Sequence, residues 1–234
     1  EREHEGAPPG AAVIQLERRM TLRFHYHPLS SFCHKALIAL YENDTPFEPV
    51  LVELFKEDSA APFKKMWPIG KIPVLRDEAR DRTIPETSII IEYLAQYFPG
   101  RTRLIPADAD RARQTRLADR FYDLYVHAPM QKVITDRLRP AGQNDAYGVE
   151  DARRMLRTAY GMIEAEMAGK QWAMGDDFTM ADCAAAPALF YAEMAEPFAQ
   201  THKNVAAYRE RLMARPSYAR ALKEAEPYFA MIPR

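Results

Sequence analysis

The chain has 234 residues, enough to bury a substantial core in one large or two small domains. Its 32 basic residues nearly balance 33 acidic residues, so no net field favours nucleic acid or an anionic membrane as a partner. No apolar run approaches the ~20 residues of a membrane span. The two cysteines, Cys33 and Cys183, lie far apart and are typical of reduced thiols. We therefore expect a soluble, cytoplasmic protein.

The first regular segment begins at Met20. Residues 1–19 contain Pro8-Pro9-Gly10 and scattered charge, without the apolar stretch of a signal peptide. We predict an irregular or disordered extension over 1–19.

Two strands separated by a helix follow. Leu22, Phe24 and Tyr26 alternate with more polar residues, which predicts a strand with one buried face. Apolar residues at helical spacing predict a helix over 31–43, and the apolar segment 47–54 predicts a second strand. A helical crossover of this length favours parallel pairing of the two strands.

The next residues predict a hairpin and a helix. A turn-rich stretch extends to Gly70, and the segments 73–77 and 82–84 then read as a short hairpin without a good turn glycine. The segment 86–97 carries its apolar residues on one helical face. The order βαβ followed by ββα predicts a mixed, thioredoxin-like sheet, which we place in a first domain over 20–99.

Strand patterns disappear after Pro99-Gly100, a pair typical of a linker. The sequence predicts a long helical stretch over 108–138 with a kink at Pro129, and a second helix with an apolar stripe over 149–163. Thr179 and Asp182 have the spacing of a capping box at the start of a helix through Tyr191. Two more helices are predicted over 204–214 and 217–225. We expect an all-helical domain over 108–234.

The run Ser30-Ser31-Phe32-Cys33 opens the first predicted helix. A helix N-terminus carries unpaired N–H groups and partial positive charge, so it favours an anion such as a thiolate. Two cysteines in a C-x-x-C arrangement would predict a redox pair, but Ser30 holds the first position. Serine can donate a hydrogen bond to sulfur and cannot form a disulfide. The run therefore predicts a site for a sulfur that arrives on a ligand, with Cys33 as a buried small hydrophobe.

Three segments in this order resemble the glutathione transferase family, over nearly everything after Met20. Residues 28–35 (PLSSFCHK) resemble its serine-type active-site turn, and residues 70–75 (GKIPVL) are similar to its G-K-[IV]-P-x-L signature. Glu86-Thr87 and the helix after it resemble its E-S-x-x-I-x-x-Y-L helix start. Residues 175–182 (GDDFTMAD) give a weaker fourth match. The resemblance implies a thioredoxin-like domain that binds glutathione, followed by a helical domain.

The resemblance assigns the sulfur contact to Ser30. Ser31 is a direct rival, and Tyr26 is a further candidate, since other transferases use a tyrosine near the first strand. A cis bond between Ile72 and Pro73 would turn the backbone N–H and C=O of Ile72 outward, to pair with the cysteinyl part of glutathione. The alternatives from the residues alone are a helix N-cap at either serine and an ordinary trans proline at the start of a strand.

Three further residues are implied to hold the ends of glutathione. Thr87, where the family usually has serine, would bind the γ-glutamyl carboxylate, with Glu86 near the α-amino group. Lys71 would reach the glycyl carboxylate. A plain helix cap and a solvated lysine are the alternative interpretations.

A second pocket is expected between the domains for a small hydrophobic electrophile. We predict that it is formed by Tyr26, Leu29, Phe121, Tyr122 and Tyr125, although the bundle core is an equally good place for the aromatic residues of the long helix. The three histidines near Cys33, namely His25, His27 and His34, lack the spacing of metal ligands, so we expect no metal.

The sequence and the resemblance together predict a glutathione transferase that attacks the electrophile with the thiolate of glutathione. A glutathione-dependent isomerase, dehalogenase or peroxidase shares the serine-type turn, and a non-catalytic binding protein of the same fold is a third alternative. The resemblance also implies a homodimer, and neither nucleic acid nor a membrane is expected as a partner.

Overall fold

The structure, a computed structural model, describes residues 21–233, so the predicted extension over 1–19 lies outside the described residues. Four strands form one mixed sheet in the order β2-β1-β3-β4, with β2 parallel to β1 and with β3 antiparallel to both β1 and β4. The strands are β1 (Leu22–Tyr26), β2 (Glu48–Leu51), β3 (Val74–Asp77) and β4 (Arg82–Pro85). The predicted thioredoxin-like arrangement is confirmed.

Three helices accompany the sheet: α1 (Ser31–Glu42), α2 (Glu57–Met66) and α3 (Thr87–Tyr97). The turn-rich interpretation of the stretch before Gly70 was wrong, because α2 forms there despite Pro62 in its interior. Acidic side chains in the first turn of α2 and lysines in the last complement the helix dipole. Only Ala60 and Phe63 of this helix are buried, so its apolar pattern is too sparse to be read from the sequence.

The hairpin of β3 and β4 forms without a turn glycine. Asp81 takes the left-handed conformation at φ 51° that glycine would otherwise supply. Aspartate adopts this region more readily than most residues, because its short side chain can bond to the local backbone.

The second half of the chain is all-helical, as predicted. Its elements are α4 (Ala109–Phe121), a π-helical segment (Tyr122–His127), α5 (Ala128–Asp136), α6 (Ala146–Glu166), α7 (Met180–Ala195), α8 (Lys203–Ala214) and α9 (Pro216–Ala225), with 3₁₀ turns at Met167–Gly169 and Glu226–Met231. Among residues 21–233 no helix is both long and apolar enough to cross a membrane.

A π-helical segment immediately precedes Ala128-Pro129, where we predicted a kink. Pro129 has no N–H to donate to the preceding turn. The N–H of Ala128 donates to the carbonyl of Asp123, five residues earlier, so the chain stays helical through the proline with one widened turn.

Helix α7 runs through the middle of the helical domain, and nearly all of its residues are buried. Its start carries the predicted capping interaction, because the N–H of Thr179 donates to Asp182 Oδ2 at 2.8 Å. The Tyr208 hydroxyl and the Ala173 N–H donate to Asp182 Oδ1 at 2.6 and 2.8 Å. A single apolar core extends from the sheet through α1 into α7, so the two halves of the chain are packed as one body.

Candidate functional site

Strand register brings the three predicted motifs to one end of the sheet. His25 of β1 lies opposite Val74 of β3, and Val74 lies opposite Pro85 of β4. The turn after β1, the residues before β3 and the residues after β4 therefore meet at that end. These are the serine run at the start of α1, the Ile72-Pro73 pair and the Glu86-Thr87 pair.

A cavity of about 510 Å³ opens at this end, between the sheet domain and the helical domain. Its volume falls within the ~300–1,000 Å³ typical of small-molecule sites. Five of the predicted site residues line it, namely Leu29, Ser30, Ser31, Lys71 and Ile72. Gly70, which directly precedes Lys71, lines it as well. Residues 52–56 after β2, and residues of α5, α7 and the C-terminal segment, also line it.

Ser30 is the N-cap of α1. Its Oγ accepts a hydrogen bond from the N–H of Cys33 at 3.4 Å, which is long for a cap. This bond uses an acceptor lone pair of the hydroxyl and leaves its proton available. Ser30 is half-buried and faces the cavity, so capping the helix and donating to a ligand are compatible roles.

Ser31 is buried at the first helical position, and its Oγ lies 2.5 Å from Nε2 of His127 in the helical domain. The His127 ring stacks on Phe32, with 3.7 Å between ring centroids. Burial, together with the positive charge of nearby Lys35, lowers the pKa of His127 to about 3, so the imidazole is neutral. Sequence reasoning missed His127, because its partner lies 96 residues away along the chain.

Cys33 lies one turn into α1 and is fully buried. Burial raises the pKa of its thiol to about 12, against a smaller opposing effect of the Ser30 hydroxyl. A neutral buried thiol is a poor nucleophile, which leaves the hydroxyls of Ser30 and Ser31 as the polar side chains at this helix terminus that face the cavity.

Ile72 and Lys71 form the opposite wall. The peptide bond between Ile72 and Pro73 is cis. Within residues 21–233 the N–H and C=O of Ile72 have no hydrogen-bond partner, and Ile72 lines the cavity. They can therefore pair with an extended ligand backbone in the manner of a strand. Lys71 is exposed at the rim.

Glu86 and Thr87 lie at the same end of the sheet and outside the cavity lining. Glu86 adopts φ 67° before α3, a conformation that costs a non-glycine residue about 1–3 kcal/mol. Thr87 is buried at the first helical position. The first N–H groups of α3 have no partners within the helix, so this terminus can bind a carboxylate.

The aromatic residues predicted for the second pocket do not line the cavity. Tyr122 is buried in the core of the helical domain, and Phe121 packs against it. Tyr125 is exposed on the outer side, and Tyr26 packs on Phe24 within the main core. Of the predicted set, only Leu29 faces the cavity.

Other apolar residues take their place. Met130 and Ile134 of α5, Tyr191 of α7, and Met231 and Ile232 near the C-terminus line this side of the cavity. Met130 and Ile134 follow the widened π-helical turn, which rotates the residues after it away from the positions that an uninterrupted α-helix would give them. The Tyr191 hydroxyl donates to the carbonyl of Leu29 at 2.8 Å and ties α7 to the serine turn. Among residues 21–233 no group of three or more His, Cys, Asp or Glu side chains is placed to hold a metal ion.

Comparison with known proteins supports the resemblance in both halves of the chain. The family model for the N-terminal domain of glutathione S-transferase matches residues 24–102, and the model for the C-terminal domain matches residues 121–216. Glutathione S-transferase 3 of Zea mays is 30% identical over 208 residues, which cover 86% of this chain and 93% of the relative.

Further relatives are more distant. Glutathione S-transferase GstB of Escherichia coli is 27% identical over 67% of this chain and 76% of its own length. Maleylacetoacetate isomerase of Aspergillus fumigatus is 28% identical over 71% and 74%. The solved structure of a glutathione S-transferase from Methylobacterium radiotolerans, in complex with glutathione sulfonate, superposes with a TM-score of 0.75 at 27% identity, covering 86% of this chain and 93% of that one. The chain belongs to the glutathione S-transferase family.

Proposed function

We propose that this protein is a glutathione transferase that holds the sulfur of glutathione as a thiolate at the N-terminus of α1. The observation that carries the proposal is the meeting of two complementary walls on one cavity. Ser30 and Ser31 face it from the positive end of a helix, and Ile72 faces it with a backbone N–H and C=O that no group within residues 21–233 pairs.

The remaining polar residues suit the two ends of the tripeptide. Lys71 at the rim offers a positive charge to the glycyl carboxylate. The start of α3 offers the N–H groups of Thr87 and Ser88 to the γ-glutamyl carboxylate, with the exposed Glu86 carboxylate near the α-amino group. Pro73, whose ring fixes its own φ, joins Ile72 to the start of β3.

The energy required of the site is modest. A thiol pKa lowered by about two units corresponds to ~2.7 kcal/mol of preferential thiolate binding. A hydrogen bond to a charged group contributes ~1.5–3 kcal/mol, and a helix terminus contributes ~0.3–1 kcal/mol. The Ser30 hydroxyl and the first N–H groups of α1 together supply about 1.8–4 kcal/mol, a range that includes the required value.

The thiolate would attack a small hydrophobic electrophile held against Leu29, Met130, Ile134 and Tyr191. We assign residues 20–99 to the glutathione-binding domain and residues 108–234 to the domain that supplies most of the apolar wall. In the attack a carbon–sulfur bond forms, and the leaving group departs with the electron pair of its bond.

Steady-state turnover of an activated aryl chloride with glutathione tests the proposal. Ser30→Ala should lower kcat by roughly one to two orders of magnitude, the cost of losing one hydrogen bond to a developing or full charge. Thr158→Ala, which removes an exposed hydroxyl from α6, is the matched control and should keep wild-type turnover. Wild-type protein that neither binds glutathione in calorimetry nor turns over the aryl chloride would refute the proposal.

A glutathione-dependent isomerase is the second candidate, because the relatives include a maleylacetoacetate isomerase. Both reactions need the same thiolate and differ in the electrophile. Assays with the aryl chloride and with a cis-alkene dicarbonyl substrate, run on the same preparation, distinguish the two. Isomerisation much faster than aryl transfer would favour the second candidate.

We propose in addition that two chains associate as a homodimer, in the cytoplasm, where the free thiols of Cys33 and Cys183 stay reduced. Ile89 of α3, Leu117 of α4 and Leu124 of the π-helical segment expose apolar side chains on neighbouring helices. Light scattering on the purified protein should give twice the chain mass, and Leu117→Glu should shift it toward the monomer. A monomeric wild type would contradict the association.

A further inference from the structure

The contact between Ser31 and His127 crosses the domain boundary inside the site. Ser31 Oγ and His127 Nε2 are 2.5 Å apart, and both side chains are buried. Ser31 lines the cavity next to Ser30, whereas His127 lies behind it and does not line the cavity. His127 can therefore act on a ligand only through Ser31.

The unpaired ring nitrogen of His127 indicates which atom donates. Nδ1 is buried, and no partner for it lies within residues 21–233. A proton on Nδ1 would leave a buried donor without an acceptor, which is rarer in folded proteins than an unpaired acceptor. A proton on Nε2 leaves only an acceptor unpaired. In that tautomer the Nε2–H donates to the Ser31 oxygen, and the Ser31 proton is free to turn toward the cavity.

The packing around His127 holds the ring in this orientation. One face is stacked on Phe32, with an interplanar angle of 12°. His127 ends the π-helical segment, and Asp123, four residues earlier, pairs with Lys35, which lies four residues after Ser31. Two contacts thus align the same face of α1 with the same face of the π-helical segment: Ser31 with His127, and Lys35 with Asp123.

We propose that His127 is a positioning residue for the glutathione site: its Nε2–H holds the oxygen of Ser31, so that the Ser31 O–H becomes a second hydrogen-bond donor to the glutathione sulfur beside Ser30. The inference rests on the proposed function, and it assigns the two serines complementary roles. Ser30 caps the helix and donates directly. Ser31 donates to the sulfur only while the Nε2–H of His127 donates to the Ser31 oxygen.

The test measures the pKa of the glutathione thiol in the complex, by ultraviolet absorbance of the thiolate across a pH series. Ser31→Ala and His127→Phe should each raise that pKa by about one unit, a tenfold loss of thiolate. Phenylalanine keeps the stack on Phe32 and removes the N–H. The double variant should raise the pKa no further than either single variant, since both act on one hydrogen bond. His127→Gln, which restores a donor at this position, should return the pKa most of the way to wild type.

Thermal unfolding of each variant separates this role from a structural one, because loss of packing would lower the melting temperature without moving the thiol pKa. Unchanged thiol pKa values in Ser31→Ala and His127→Phe, or additive shifts in the double variant, would overturn the inference. Should His127→Phe not fold, an unchanged pKa in Ser31→Ala alone overturns it. If the wild type binds glutathione with a lowered thiol pKa, the proposed function stands whatever these variants show.

Discussion

Lys35 Nζ lies 2.7 Å from Asp123 Oδ2, and this buried ion pair joins α1 of the sheet domain to the π-helical segment of the helical domain. Asp119 lies 2.7 Å from the same ammonium group, and the Ser88 hydroxyl donates to Asp119 at 2.6 Å. Arg120 adds a second positive charge at the exposed side. The two carboxylates are thus balanced by two cations, as buried charges require.

Removing the central cation should destabilise the fold strongly. Lys35→Met leaves two buried carboxylates with one partly exposed cation, and we expect the free energy of unfolding to fall by about 3–5 kcal/mol. Lys132→Met is the control, because Lys132 pairs with Asp145 at a partly exposed site, where such a pair contributes ~0–1 kcal/mol. Urea unfolding measures the free energy of unfolding of both variants. Equal losses in the two variants would contradict the account of the buried network.

The corrected pocket predicts which side chains select the electrophile. Met130→Ala and Ile134→Ala remove apolar surface from the cavity wall, and each should raise KM for the aryl chloride several-fold with little change in KM for glutathione. Leu124→Ala, on the exposed side of the π-helical segment, serves as the control and should change neither value. A larger effect at Leu124 than at Met130 would place the electrophile elsewhere.

The sequence predicted the elements whose pattern is local and strong. The alternation from Leu22 to Tyr26, the capping pair Thr179 and Asp182, and the motif around Ile72 all occupy the expected elements. The short amphipathic helix α2 was missed because Pro62 interrupts it and only two of its side chains are buried.

A different reason explains why the apolar wall of the cavity was not predicted from the sequence. The π-helical turn before Pro129 changes the facing of every residue that follows it, and no local spacing in the sequence signals such a turn. Met130, which follows the turn, reaches the cavity, whereas Tyr122, at the first residue of the segment, is buried in the core. His127 was missed as well, because its contact with Ser31 depends on how the two domains pack.

The cysteines should be inert in the folded protein. Burial raises the pKa of Cys33 to about 12 and raises that of Cys183 well above its usual value, so little thiolate exists near neutral pH. We expect no reaction with an aromatic disulfide reagent in buffer and reaction of both thiols in denaturant. Cys183→Ala identifies the site of any labelling. Rapid modification of Cys33 in the native state would contradict its assignment as a structural residue.

Because of His34, the free energy of unfolding should decrease as the pH falls. Burial lowers its folded-state pKa to about 4, against ~6.5 when unfolded, so between these values the unfolded chain binds a proton that the folded chain does not. The contribution of neutral His34 is complete above about pH 6.5, and it is lost as the pH falls toward 4, at up to ~1.4 kcal/mol per pH unit.

Glutamine at position 34 tests this effect, because its amide can donate to the Pro28 carbonyl as the Nε2–H of His34 does at 2.5 Å. Urea unfolding across the mildly acidic range should show a shallower loss of stability for His34→Gln than for wild type. Thr158→Ala, which removes no titrating group, should keep the wild-type slope. Parallel slopes for His34→Gln and wild type would show that His34 is not buried in the neutral form.

The position of the glutathione sulfur is the central claim, and a crystal structure of the protein soaked with glutathione tests it most directly. We expect the sulfur within hydrogen-bond distance of Ser30 Oγ at the start of α1, and the cysteinyl backbone paired with Ile72. Glutathione bound with its sulfur away from both serines, or a cavity that stays closed to the tripeptide, would contradict the account.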